Sequence, residues 1–547
     1  MSIPQSVEAA LKRAHQEHVL QYVNASDISD SERARLYKQI ASIDFDSLSK
    51  QINTSMSSKG ARYDMEPDMH PPKECIKESS LSEVEKRKYV MDGINSLREG
   101  KVALIILAGG QSTRMGTDIV KGTIDIGLPS GKSIFQLFCD RLLRLKELVG
   151  GELHIPVMVM TSPLNHTATV EYFKSHHFFG LSEEDVIFFT QGVFPCLDQQ
   201  GRIIMRSRTN IAVNPNGSGG VFEALLNPRN QVDGVPLCQW LQNRHVEFLH
   251  MIGIDDAACA PCDPLFIGYG VQHKTDVLLK AIEKSCPDER AGVLVDYKGN
   301  LVVMEFSEMR YETICERDLY GHLVFRYGFT FDMLIRTEVV QHYCNPCQFN
   351  NQFHITHKCI PYYDEILGRT KKPIRPNGRK LERYVYDIFR HVYTVTPVNF
   401  QGDSIPRSRS MPCRGAKLVQ AESNPNHLHV EAIVIDRSEW APVRNGKESS
   451  VATAATACET LLENGARWVE RNGGRVEQEE KALCEVSGKV SFCGEGMERV
   501  KGAVLEGPAL VIAEKEMRSD DEIASYVNES IALLKRREKG CPVYVFL

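Results

Sequence analysis

Gly109-Gly110 stands directly after an apolar run, Val102 to Ala108, and the cations Arg114 and Lys121 follow with Gly116 and Gly122 beside them. Two glycines after a buried strand let the backbone turn with positive φ and let a ligand approach the main-chain N–H groups. Fixed cations beside such a turn suit a polyphosphate. The same dipeptide also serves a plain tight strand-to-helix turn, so it does not define a phosphate site alone. A dinucleotide fingerprint is absent here. Gly127-Leu-Pro-Ser-Gly131-Lys132-Ser133 approaches a P-loop but has three residues between its glycines where the motif needs four, and it lies behind a loop. Lys132-Ser133 reads instead as the start of a helix, Ser133 to Leu148.

These groups need elements to hold them. Val102 to Ala108 is apolar throughout, as a central strand buried on both faces must be. Further short strands are predicted at Pro156 to Thr161, Val186 to Thr190, Val246 to Ile254 and Gly292 to Val295, with helical stretches at Thr167 to His176 and Lys274 to Ser285. The alternation predicts an α/β fold with a central Rossmann-like, mostly parallel mixed sheet flanked by helices. Ligands in such folds bind beyond the carboxyl ends of the strands, and Gly109, Gln191-Gly192 and Asp255-Asp256 all stand at such ends. Residues 1–100 read as a mainly helical region with a capping box at Ser82 and Glu85, 101–400 as the central domain, and 401–429 as a polar, basic insertion or linker. Residues 430–547 read as a smaller C-terminal α+β domain: a strand from Leu428 to Asp436, a helix from Thr453 to Arg471, short strands between Glu485 and Glu514, and a closing helix from Asp521 to Lys539.

Composition excludes more than it selects. The 547 residues, 42% hydrophobic and 25% charged, suffice for two to four domains and a large core. A formal charge of −6 argues against a nucleic-acid partner held by bulk electrostatics. No apolar leader opens the chain and no run approaches about eighteen apolar residues, so a soluble, cytoplasmic protein without a membrane partner is expected, and as a monomer. Sixteen cysteines are too sparse for a disulfide scaffold in a chain this long. Cys259-Ala-Pro-Cys262 and Cys344-Asn-Pro-Cys347 have zinc-like spacing, but neither is backed by a glycine knuckle or a histidine pair, and both read as structural thiols.

Leu107-Ala-Gly-Gly-Gln-Ser-Thr-Arg-Met-Gly116, followed by Lys121-Gly122 and Gly127-Leu-Pro-Ser-Gly-Lys-Ser-Ile-Phe-Gln136, resembles the signature of the eukaryotic UDP-N-acetylhexosamine pyrophosphorylases. The resemblance implies that Leu107, Gly109 and Gly110 lie against the uridine and phosphates of UTP, with Arg114 and Lys121 neutralising phosphate charge. Phe178-Phe-Gly-Leu181 and Val186-Ile-Phe-Phe-Thr-Gln-Gly192 resemble the second signature, which makes Gln191 the uracil contact. An amide can donate to and accept from the uracil edge at once. Asn214-Pro-Asn-Gly217-Ser218-Gly-Gly220 resembles the glycine loop against uridine and sugar, with Ser218 where the family usually has asparagine. Asp255 matches the family aspartate that holds Mg²⁺, a hard ion content with one carboxylate plus phosphate oxygens. Glu305 matches a glutamate accepting from sugar hydroxyls. Arg326 and Phe329 replace the asparagines of the family's Asn-Ala-Gly-Asn-Ile, which implies a sugar pocket rebuilt around Phe329. Lys380, in Arg375-Pro-Asn-Gly-Arg-Lys380, matches the lysine that reaches the phosphates from the far side of the cleft. The implied activity joins UTP and N-acetylglucosamine 1-phosphate into UDP-N-acetylglucosamine and pyrophosphate. Glucose, galactose or N-acetylgalactosamine 1-phosphate, or binding without turnover, stay open as alternatives.

Overall fold

The computed structural model describes residues 5–57, 68–73, 75–110, 119–151, 153–343, 353–392, 428–478, 481–516, 523–528, 531–538 and 541–546. Its centre is an 11-stranded sheet. The strands that matter are β1 (Val102–Leu107), β2 (Val157–Thr161), β3 (Val186–Thr190), β4 (Phe248–Gly253), β5 (Val277–Glu283), β6 (Gly292–Tyr297), β7 (Asn300–Met304), β8 (Tyr327–Arg336) and β11 (Val430–Val434). Two more, β9 (His354–Lys358) and β10 (Gly378–Glu382), belong to a separate small sheet. The main path runs from Ile76–Lys77 through β11, β5, β8, β4, β1 and β2 to β3, and its pairings are parallel except on either side of β8. β6 branches from β8 and pairs in turn with β7 and with Met69–His70.

β1 lies inside because every residue of Val-Ala-Leu-Ile-Ile-Leu is buried. Each such aliphatic side chain contributes about 1.5–3 kcal/mol over its exposed state. The helix Ile134–Val149 covers one face, and its Ser133 cap accepts from the Gln136 N–H at 3.3 Å. The helix Glu83–Arg98 starts at the expected capping box, where Ser82 and Glu85 satisfy each other's backbone donors.

Three expectations fail, each for a physical reason. Lys274 to Ser285 is no helix: Val277–Glu283 is β5. Both faces of that strand are buried, so its apolar run carries no period of two, and the polar Lys280 is tolerated inside because it pairs with Asp263 at 2.8 Å. Asp521 to Lys539 is no closing helix either. Ile523–Asn528 and Ile531–Glu538 form antiparallel strands, and the second covers the edge of Cys541–Phe546 that would otherwise be unpaired. Residues 430–434, expected to open the C-terminal domain, join the central sheet by pairing in parallel with β5. Of the 401–429 segment, only residues 428 and 429 are among those described.

The small sheet consists of β9, β10 and Leu197–Asp198. The N-terminal helices pack on it, burying Leu11, Leu36 and Ile40 together with Leu197 and Leu381. At the other end the helix Ala454–Arg471 covers Cys484–Val486 and its neighbours around a separate core.

Candidate active site

A cleft of about 310 Å³ opens where β1 to β4 end. Its central-sheet wall carries Leu107, Gly109 and Gly110 after β1, Gln191 after β3, Asp255 after β4, and Lys121. The facing wall carries Lys358 and Lys380 from the small sheet, with Glu382 and Tyr384, and the Gly217-Ser218 turn lies between the two. Glu305, Phe306, Phe331, Arg290 and Arg444 close it. One cleft therefore gathers Leu107, Gly109, Gly110, Lys121, Gln191, Gly217, Ser218, Asp255, Glu305 and Lys380 from positions nearly three hundred residues apart.

The strand-end turns are fixed from behind. Asn165 donates from Nδ2 to the Ala108 carbonyl at 2.8 Å, and the Gln191 N–H donates to the Thr161 carbonyl at 2.9 Å. Gly109 leaves room for the Gln191 side chain, since a Cβ there would lie 2.8 Å from the amide oxygen and the amide would have to shift. Gly217 has φ +93°, and a Cβ on it would sit 2.1 Å from the Arg383 carbonyl oxygen. The Ser218 hydroxyl oxygen accepts from the Val385 N–H at 3.0 Å, so it ties this turn to the facing wall and keeps its proton and one lone pair for a ligand.

Charge in the cleft centres on Asp255. Burial raises its affinity for a proton, but the Arg444 guanidinium, donating from Nε to Oδ2 at 2.6 Å, and the nearby Lys121 ammonium outweigh that and hold the carboxyl at about 2. Asp255 is therefore an anion at neutral pH. Its neighbour Asp256 faces away, accepting from the Ala441 and Ala258 N–H groups, and burial pushes it up to about 7. That side of the turn borders a cavity of about 750 Å³ in which Lys280 is already matched by Asp263 and Asp332.

At the other end, Glu305 accepts a hydrogen bond from the Tyr386 hydroxyl at 2.5 Å. Burial raises the carboxyl of Glu305, partly offset by that donor. Phe329 does not line the cleft. It is fully buried, with its ring 6.0 Å from that of Tyr386 and 5.3 Å from that of Phe331, and Phe331 is the ring on the cleft wall. A phenylalanine at a core position packs where an asparagine would leave polar atoms unsatisfied. Phe331 has φ +67°, outside the strand range of its neighbours, a bend that no local sequence signal announces. Arg114 and the Cys344–Cys347 pair lie outside the described residues.

Sequence reasoning missed Arg444, Arg290, Lys358, Glu382 and Phe331. Lys358 could have been found from the pairing of β9 with β10, which brings it to the same sheet as Lys380. Arg444 was missed because its partner is 189 positions away. Lys132, the lysine of the near-P-loop, points elsewhere: its ammonium lies 2.7 Å from Asp140 and 2.6 Å from Glu516 and joins the central and C-terminal cores. Cys259 and Cys262 are buried free thiols.

Of the carboxylates on this cleft, Asp255, Glu305 and Glu382, Asp255 is the one that stands at the sheet end beside Lys121. Among the described residues no group of three or more acidic, histidine or cysteine side chains could cage an ion. Asp255 alone fits a hard ion that shares its coordination with phosphate oxygens and water, because it is ionised and stands on the cleft wall.

Residues 44–367 match the family described as UTP--glucose-1-phosphate uridylyltransferase. The chain is 30% identical over 465 residues to the UDP-N-acetylglucosamine pyrophosphorylase of Saccharomyces cerevisiae, covering 84% of this chain and 88% of that protein. It is 28% identical to the human UDP-N-acetylhexosamine pyrophosphorylase-like protein 1, covering 95% of this chain and 99% of the other. Among solved structures it is similar to the uridine diphosphate N-acetylglucosamine pyrophosphorylase of Trypanosoma brucei in complex with inhibitor, with a TM-score of 0.71, 27% identity, and coverage of 91% and 95%.

Proposed function

Because the chain belongs to the UTP--glucose-1-phosphate uridylyltransferase family, we propose that it joins UTP and N-acetylglucosamine 1-phosphate, giving UDP-N-acetylglucosamine and pyrophosphate. The observation that carries this reading is a single cleft with a glycine turn and a lysine on one wall and two lysines on the other. One polyphosphate and one sugar phosphate need such a two-sided arrangement of cations.

The sugar phosphate's own oxygen is ionised at neutral pH, so no general base is needed. It attacks the α-phosphorus, the bond to the bridging oxygen of the β-phosphate breaks, and pyrophosphate leaves with the electron pair. Catalysis is then positioning and charge stabilisation. Gly109, Gly110 and Gly217 bring backbone close to the nucleotide, Leu107 and Ser218 border it, and Gln191 reads the uracil edge. Lys121 neutralises charge growing on the α-phosphoryl oxygens, and Arg114 takes the departing pyrophosphate. Lys380, with Lys358 beside it, offsets the charge of the incoming sugar phosphate. Glu305 receives sugar hydroxyls. Asp255 is the residue that would hold Mg²⁺, which when bound supplies charge neutralisation across the phosphates.

A pyrophosphate-release assay with UTP against N-acetylglucosamine, N-acetylgalactosamine, glucose and galactose 1-phosphates tests the reading. The N-acetylglucosamine substrate should show the highest kcat/KM, and a higher value for glucose 1-phosphate would reassign the sugar. A cytoplasmic monomer completes the proposal; among the described residues no helix is long and apolar enough to cross a membrane. Cell fractionation and light scattering check the two parts.

A further inference from the structure

His354 opens β9 and is 7% exposed. Its Nδ1 lies 2.5 Å from a carboxylate oxygen of Glu308, and its Nε2 lies 2.8 Å from a carboxylate oxygen of Asp387. A ring with a carboxylate on each nitrogen donates from both, and so carries a proton on both. The charge agrees: burial works against it, but Asp387 and Glu308 together push the imidazole up to about 10.

The two carboxylates belong to different parts of the molecule. Glu308 ends the turn that leaves β7 of the central sheet, and its N–H donates to the Glu305 carbonyl at 2.8 Å. Asp387 follows β10 of the small sheet, and its second oxygen accepts from the Tyr384 N–H at 2.7 Å. Glu305 and Phe306 line the cleft from the first part, Tyr384 from the second. The Tyr384 ring stands 4.3 Å from the imidazole, tilted by 35°. The same parts also meet through the Tyr386 hydroxyl on Glu305, through the Phe329 and Phe331 rings against Tyr386, and through the helix Asp387–Val392 packed on β7, so His354 is the charged link within a wider contact.

We infer that the His354 imidazolium is a positioning residue for the sugar end of the cleft: by pinning Glu308 to Asp387 it sets the spacing between Glu305, Phe306 and Tyr384, and so governs capture of the sugar 1-phosphate and not of UTP. The inference rests on the activity proposed above. His354 does not line the cleft, so it acts only through these neighbours. Of the groups assigned to the nucleotide, Gly109, Gly110 and Gln191 hang on β1 and β3, away from this pin, and the Gly217-Ser218 turn reaches it only through the Ser218–Val385 hydrogen bond. A charged hydrogen bond that is lost inside a protein typically costs enough to change an affinity by about tenfold.

The test is steady-state kinetics on the full chain with both substrates varied, for the parent, His354→Gln, Glu308→Gln and the double variant. Each single variant should raise KM for N-acetylglucosamine 1-phosphate by about tenfold, with KM for UTP within about twofold of the parent. The double variant should be no worse than His354→Gln alone, because the contact to Glu308 is lost only once. A general loosening of the fold would raise both constants or lower kcat alone. Equal rises in both KM values, no rise, or additive losses in the double variant would each overturn the role of His354 while leaving the activity standing. A parent inactive with every sugar 1-phosphate would overturn the activity and this role with it. Should His354→Gln not fold, Glu308→Gln, whose side chain is 20% exposed, reads the same contact from its more accessible side.

Discussion

The side-chain amide of Gln191 rests against the α-carbon of Gly109, so closely that a methyl group on residue 109 would lie 2.8 Å from both the amide carbon and its oxygen. The two residues follow β1 and β3, which β2 separates in the sheet, so the contact spans the strand ends. Gly109→Ala should push the amide off its position and raise KM for UTP about tenfold or more, leaving KM for the sugar 1-phosphate near the parent value. Initial rates with each substrate varied check this.

Lys121→Ala should lower kcat by about 10²-fold to 10³-fold, as loss of a donor aimed at developing charge does, while UTP binding weakens far less. Single-turnover rates beside calorimetric UTP binding separate the two effects. An unchanged kcat in a folded variant would remove Lys121 from the chemistry.

Activity should vanish in excess chelator and return on adding Mg²⁺. Asp255→Asn should raise the Mg²⁺ concentration needed for half-maximal rate. Arg444→Ala should act differently, destabilising the fold by about 1–3 kcal/mol because it leaves the part-buried Asp255 carboxylate with only Lys121 nearby. Denaturant midpoints at pH 7 read that change.

Phe329→Asn should cost stability and not redirect sugar choice. It removes a fully buried ring and inserts an amide with nothing to bond, a loss of about 3–5 kcal/mol. Phe331→Ala, on the cleft wall, should instead alter substrate KM values with a smaller change in stability. Finding the reverse pattern would show that the two rings had been assigned to the wrong sides.

The His354 pair makes stability depend on pH with a definite sign. Its imidazole titrates near 10 in the folded protein against an ordinary value of 6.5, since Asp387 and Glu308 outweigh burial. The stabilisation is fully present below about 6.5 and is lost as pH rises through about 10. Urea midpoints at pH 7 and pH 10 should fall further for the parent than for His354→Gln, whose side chain has no proton to lose.

Much of this cleft could be read from the chain because its parts are short and local. Gly109, Gln191 and Asp255 each stand where an apolar strand stops, and a strand end is visible in the residues themselves. What could not be read depends on partners distant in sequence. The side on which Phe329 packs follows from its pairing with Gly292 and Ala281 and from the bend at Phe331. Val277–Glu283 resembles a helix because both of its faces are covered, which erases the alternation that marks a strand. Lys132 resembles a phosphate lysine until Asp140 and Glu516 are seen to hold it.

The late position of β11 has a consequence for synthesis. Its pairing joins Val277 to Val430, and the guanidinium that neutralises Asp255 arrives at residue 444. A growing chain therefore carries β1 to β5, with an unfinished sheet edge and an Asp255 that still lacks its arginine, through much of translation. Long-range pairing of this kind forms slowly and exposes strand edges while it waits. The nascent protein can assemble its nucleotide wall early, but the cleft becomes electrically complete only after four-fifths of the polypeptide has left the ribosome.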